Sequence, residues 1–113
     1  MTVSPSFRTF VVEQLTRVLP DVRARSMFGG VGIYAGSFFF ALIADDVLYF
    51  KVDGSNRSDF QAKGMEPFRP YGETGEVMQY YEVPPELLEE PEQLRAWAEK
   101  AVAAARRKKT KRS

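Results

Sequence analysis

A chain of 113 residues, 44% hydrophobic and 27% charged, has the size and balance of one soluble globular domain that folds without staples. It has no cysteine and no histidine, which excludes disulfides, thiolate chemistry, and the commonest general base and metal ligand. The net charge of +1 hides a division: six of the sixteen basic residues fall in 106–112, leaving ten basic against fifteen acidic residues before them. No secretory pattern opens the chain, and no apolar run reaches the roughly 18 residues of a membrane span, so it reads as cytoplasmic.

Ser4-Pro5 is a helix start, serine as cap and proline in the first turn. Phe7, Phe10, Val11, Leu15, Val18 and Leu19 then form one apolar stripe, which Pro20 ends. Val22 to Met27 alternates as a strand. Val31–Tyr34, Phe38–Ala44 and Val47–Val52 follow as three strands rich in β-branched and aromatic residues. Gly36-Ser37 and Asp45-Asp46 fit turns between them, and links this short force an antiparallel meander.

Asn56 or Ser58 begins a short helix through Phe60, with Gly64 at its left-handed end. Met65 to Tyr71, interrupted by Pro67 and Pro70, suits an edge or irregular segment. Val77–Val83 is a fifth strand, after a turn between Gly72 and Gly75. Pro91 opens a long helix whose Leu94, Trp97, Ala98, Ala101, Val102 and Ala105 recur at helical spacing. The expected architecture is a two-layer α+β sandwich, an antiparallel sheet of about five strands packed with the terminal helices. The domain spans 1–105, and 106–113 is a basic, disordered tail.

Chemistry is harder to place. Gly29, Gly30, Gly32 and Gly36 suggest a phosphate loop, but strands flank them on both sides and no helix start is available, so close backbone approach is the better reading. Asp45, Asp46 and Asp53 suit turns better than a cation. Arg23 and Arg25 read as a solvated strand face before an anion site. The tail cations Arg106, Arg107, Lys108, Lys109, Lys111 and Arg112 allow weak, nonspecific nucleic-acid contact. Strict alternation along the apolar Phe38–Ala44 run places Phe39, Ala41 and Ile43 on one sheet face, with Tyr49 beside them. That face is too apolar to stay open, so Phe39, Ile43 and Tyr49 are candidates for a homodimer or partner interface.

The run Arg25, Met27, Phe28, Gly29, Gly30, Gly32 and Tyr34, with Leu48-Tyr49-Phe50-Lys51, Pro67-Phe68, Tyr80-Tyr81 and Trp97 in order behind it, resembles the TfoX/Sxy N-terminal domain family. The resemblance covers nearly the whole chain before the tail. It implies a secretion-chaperone-like α/β domain of bacterial origin and a link to transcriptional control of competence. It supplies no catalytic residue, metal or cofactor. Full-length competence regulators of this family carry a second, helical domain, whereas this chain continues into the basic segment. The reading is a non-enzymatic, protein-binding regulatory domain. The alternatives are nucleic-acid binding through the tail and, less favoured, a small enzyme.

Overall fold

A computed structural model describes residues 3–70, 72 and 78–111. Helix α1 (Pro5–Val18) leads into strands β1 (Val22–Met27), β2 (Gly30–Ala35), β3 (Phe38–Ala44) and β4 (Val47–Lys51). A short helix α2 (Arg57–Ala62), strand β5 (Tyr80–Glu82), a 3-10 turn over Pro85–Glu89 and the long helix α3 (Pro91–Lys111) complete it. The five strands form one antiparallel sheet in sequence order. The two-layer α+β architecture follows from this order, because α1 and α3 pack together on the same side of the sheet.

The turns explain the meander. Phe28 and Gly29 both take left-handed angles between β1 and β2, and Asp45 and Asp46 do the same between β3 and β4. Two successive left-handed residues match the twist of paired strands, which other two-residue turns splay apart. Ser4 caps α1 by accepting from the Phe7 amide, while its own amide donates to Asp46 at 2.7 Å. The first helix is thereby tied to the β3–β4 turn.

One irregularity controls the sheet. Ile33 pairs with Ala41 and Tyr34 with Phe39, so Phe40 is an extra residue in β3. Such a bulge sends two consecutive side chains to the same side and reverses the alternation beyond it. Phe38 and Phe40 therefore face the helices together with Ala41 and Ile43, and Leu42 turns away. The expectation that Ile43 lies on the open face is corrected here: it is fully buried in the core. Phe40 meets Phe50 at 5.8 Å, and Val11, Leu15, Ile33, Leu94, Ala98 and Ala101 close the same core. Alanines let α3 lie close against β3 and β4.

Two further expectations change. The last strand is Tyr80–Glu82 and not Val77–Val83; Val77 lies outside the described residues. The segment around Phe68 runs beside it, exchanging backbone hydrogen bonds with Tyr80 and Met78, as an added edge. The 3-10 turn after Pro84 buries Leu87 and Leu88 beneath the helices. And residues 106–111, expected as a disordered tail, continue α3. Arginine and lysine are good helix formers, and they complement the negative end of the helix dipole. Side-chain anchors add to this: Arg107 bridges to Asp53 at 2.8 Å, and the Arg106 guanidinium lies 5.2 Å from the Phe38 ring centre.

Two substitutions gauge this packing. Phe40→Ala, at a fully enclosed ring, is expected to cost about 3–5 kcal/mol in urea unfolding. Trp97 is half-buried, edge-on to Phe60 at 4.7 Å, so Trp97→Ala is expected to cost less, about 2 kcal/mol. Equal losses would contradict the burial difference.

Candidate functional site

The helices leave the other sheet face to a different set of side chains. Arg23, Arg25 and Met27 alternate along β1 and stand opposite Tyr34, Gly32 and Gly30 in β2. Phe39, Leu42 and Ala44 continue the face in β3, Tyr49 and Lys51 in β4, and Tyr80 and Glu82 in β5. Rings form a row across it: Tyr34 stacks on Phe39 at 5.1 Å, and Phe39 meets Tyr80 at 5.7 Å. Tyr49 packs on Phe68 at 4.8 Å, so the edge segment shields the β4 side. Of the expected interface residues, Phe39 and Tyr49 lie on this face, and Leu42 takes the place assigned to Ile43.

Glycine shapes the face beside β1. A Cβ at Gly30 would stand 2.6 Å from the Ile43 carbonyl oxygen, a backbone atom that cannot step aside cheaply. At Gly32 it would meet the Met27 side chain at 2.7 Å and Phe39 at 3.3 Å. These glycines thus allow close strand and side-chain approach, as the flanking strands imply, and no helix start faces them. The result is a cleft of about 470 Å³ lined by Met27, Phe39, Leu42, Phe68, Pro70 and Met78, with Phe28 at its rim. Phe28 is 94% exposed and holds φ at +48°. A bulky residue at such an angle is an outlier. Nothing in the sequence marked Phe28-Gly29 as the two-residue turn between β1 and β2, or showed that the ring would project beside an apolar cleft.

The opposite end of the face, where Gly36-Ser37 turns the chain, is basic. Arg23 donates to the Gly36 carbonyl at 3.0 Å and approaches Asp21 at 3.8 Å. Lys109 donates to the Ser37 hydroxyl at 3.0 Å and lies 5.4 Å from the Phe38 ring centre. Lys51 is buried, its ammonium 5.0 Å from the Tyr80 ring centre. Among the expected nucleic-acid contacts, Arg107 is committed to Asp53 and Ser55, while Lys108 and Lys109 reach this end of the sheet. The side chain of Lys111, and Arg112 altogether, lie outside the described residues.

The carboxylates do not converge. Asp45-Asp46 and Asp53 sit at opposite ends of β4, and Asp46 and Asp53 already accept from Ser4, Ser55 and Arg107. Among the described residues no group of three or more acidic, His or Cys side chains could hold a metal ion. Nor is any helix among them long and apolar enough to cross a membrane. Burial, with Tyr34 adding to it, pushes the Tyr80 phenol up to about 12; burial, then Glu82 and Asp45, raises Tyr49. Both stay neutral near pH 7.

The hydrogen bond from Arg107 holds the Asp53 carboxyl well below the usual carboxylate range, with Ser55 helping and partial burial opposing. A depressed native pKa stabilises the fold above the unfolded value of about 4 and loses that contribution as pH falls through the native value. Asp53→Asn is therefore expected to lower the Tm at neutral pH, and the gap to wild type to narrow in acid below about pH 4. The pair is half-exposed, so the step is small and weakens in high salt. A gap independent of pH would assign Asp53 only its turn-forming role.

Comparison with known proteins adds one positive finding. A search of curated proteins finds no match. The family model of the TfoX N-terminal domain matches residues 13–105, from the middle of α1 to the last core alanine of α3, and includes both ends of the open sheet face except Lys108 and Lys109. The match takes in most of the 113 residues, and the chain belongs to the TfoX N-terminal domain family.

Proposed function

We propose that this is a non-catalytic regulatory domain, linked to the control of competence, that works by protein contact through the apolar end of its open sheet face. A second copy of the chain is the occupant that fits the geometry. The observation that carries the reading is Phe28, 94% exposed at a strained turn and beside a cleft of about 470 Å³. The left-handed angle costs of order 1–3 kcal/mol, and an unburied phenylalanine forgoes about 1.5–3 kcal/mol of transfer free energy. Both are offset when the ring enters an apolar socket. Knob and socket lie side by side on one molecule, so a two-fold axis at the cleft rim lets each ring enter the other copy's cleft. Strand β1 is also an edge of the sheet, and edge strands offer backbone groups to a second chain.

The regulatory part of this reading rests on the family. A non-catalytic role is supported by a sequence without histidine or cysteine. Sedimentation equilibrium at micromolar concentration is the test. Wild type is expected to be dimeric, Phe28→Ser monomeric with a cooperative melting transition whose Tm falls only by the lost association, and Leu42→Asp at the socket monomeric as well. A wild-type monomer throughout that range would reject the second copy as occupant, and a dimeric Phe28→Ser would place the contact elsewhere.

A further inference from the structure

At the opposite end of the same face the fold assembles a surface of different chemistry, independent of the pairing at Phe28. Two clefts meet at Ser37. One, of about 380 Å³, is lined by Arg23, Arg25, Tyr34 and Gly36; the other, of about 290 Å³, by Phe39, Lys51, Tyr80, Lys108 and Lys109. None of the described residues lining either cleft is acidic. The cations come from three places far apart in sequence: β1, β4 and the last turns of α3. They flank one aromatic row, Tyr34–Phe39–Tyr80, with neighbouring centroids 5.1 and 5.7 Å apart. Tyr34 and Phe39 are partly buried; Tyr80 is almost covered and backs the row.

We infer that this end of the sheet is a binding track for single-stranded nucleic acid, with phosphates along Arg25, Arg23, Lys109 and Lys108 and bases stacked on Tyr34 and Phe39. The chemistry of the two halves requires such a ligand. Clustered cations attract a polyanion, Arg23 in exchange for its 3.8 Å approach to Asp21, and the counterions released favour binding at low salt. The uncovered parts of the rings beside them add stacking that tolerates any base, since every base has a π-face. A duplex keeps its bases inside and offers only phosphates, and an acidic peptide has charge without regularly spaced planar groups. The sheet has room for about two or three stacked bases. The Phe28 cleft, by contrast, has no cation among its described lining residues and offers nothing to a phosphate.

The placement corrects the simpler idea of a free basic tail. Arg107 is occupied by Asp53, so the useful part of the C-terminal charge is the part that α3 carries to the sheet, and β1 supplies the rest. Neither Arg23 nor Arg25 could be paired with residue 108 or 109 from the sequence. A binding surface built this way depends on the fold, whereas a disordered tail would bind when cut from it.

The test uses the full chain and a fluorescein-labelled oligothymidylate of about twelve nucleotides, followed by anisotropy in about 50 mM salt. Binding is expected, with a slope of log K against log salt of roughly −2 to −3. Tyr34→Ala is expected to weaken it roughly tenfold. Arg25→Gln, and Lys108→Gln with Lys109→Gln, are expected to lower the slope by about 0.7 per lost phosphate contact and to leave sedimentation unchanged. Arg25, Lys108 and Lys109 are exposed, so these variants report on binding even if Tyr34→Ala is poorly folded. No binding in about 50 mM salt would overturn the inference. So would equal affinity for duplex DNA or poly-glutamate, which shows a generic anion surface, or a loss confined to Phe28→Ser, which moves the ligand to the apolar cleft.

Discussion

Phe40 is left over when β2 pairs with β3, and the rest of the molecule is arranged around that surplus residue. Ile33 stands opposite Ala41 and Tyr34 opposite Phe39, so the strand changes phase between them. Without the bulge, strict alternation would put Phe38, Phe40, Leu42 and Ala44 on one face and Phe39, Ala41 and Ile43 on the other. With it, Phe38, Phe40, Ala41 and Ile43 all serve the helix side, and the core receives two large rings and two aliphatic groups from one strand. The low alternation of Phe38–Ala44 is what makes this possible, since an apolar residue is acceptable on either side. A polar residue anywhere in the run would have fixed the register in advance.

The consequence for function lies on the face that the bulge sets apart. It receives Phe39, Leu42 and Ala44 in place of a uniform apolar stripe, and these join residues from every other strand. Glycines at 30 and 32 lower one end into a cleft, and the turn beside it holds Phe28 out in solvent. The other end keeps its rings but gains cations from β1 and α3. One face thus carries two surfaces of unlike chemistry, with Phe39 lining both. Protein contact at one end and nucleic-acid contact at the other can coexist, because the side chains that separate them are also the ones that form the aromatic row.

Charge follows the same logic. Taken alone, the acidic excess before residue 106 would suggest a body unsuited to polyanions. Averages over sequence mislead here, because folding sorts charges in space: the turns and the starts of helices hold many of the carboxylates, while Arg23, Arg25, Lys108 and Lys109 collect at the Gly36-Ser37 turn. Local sign, on the scale of a Debye length of about 8–10 Å, decides what a surface attracts.

The helices, the five-strand meander and the covering of the sheet by the terminal helices were legible in the sequence, because each rests on a local rule. Ser4-Pro5 caps, Asp45-Asp46 turns, and the stripe from Leu94 to Ala105 repeats at the helical period. The family resemblance was legible too, carried by the Arg25–Tyr34 run. Facing, by contrast, was decided only in three dimensions. Whether Ile43 or Leu42 meets the helices depends on one unpaired residue, and nothing local marks Phe40 as that residue. Whether residues 106–111 stay helical depends on Asp53 and Phe38 being within reach. And the placing of Arg25 and Lys108 in two clefts that share Ser37, across more than eighty residues of chain, depends on α3 lying over β3 toward the same turn. Periodicity fixes what each element buries; only packing fixes which elements end side by side.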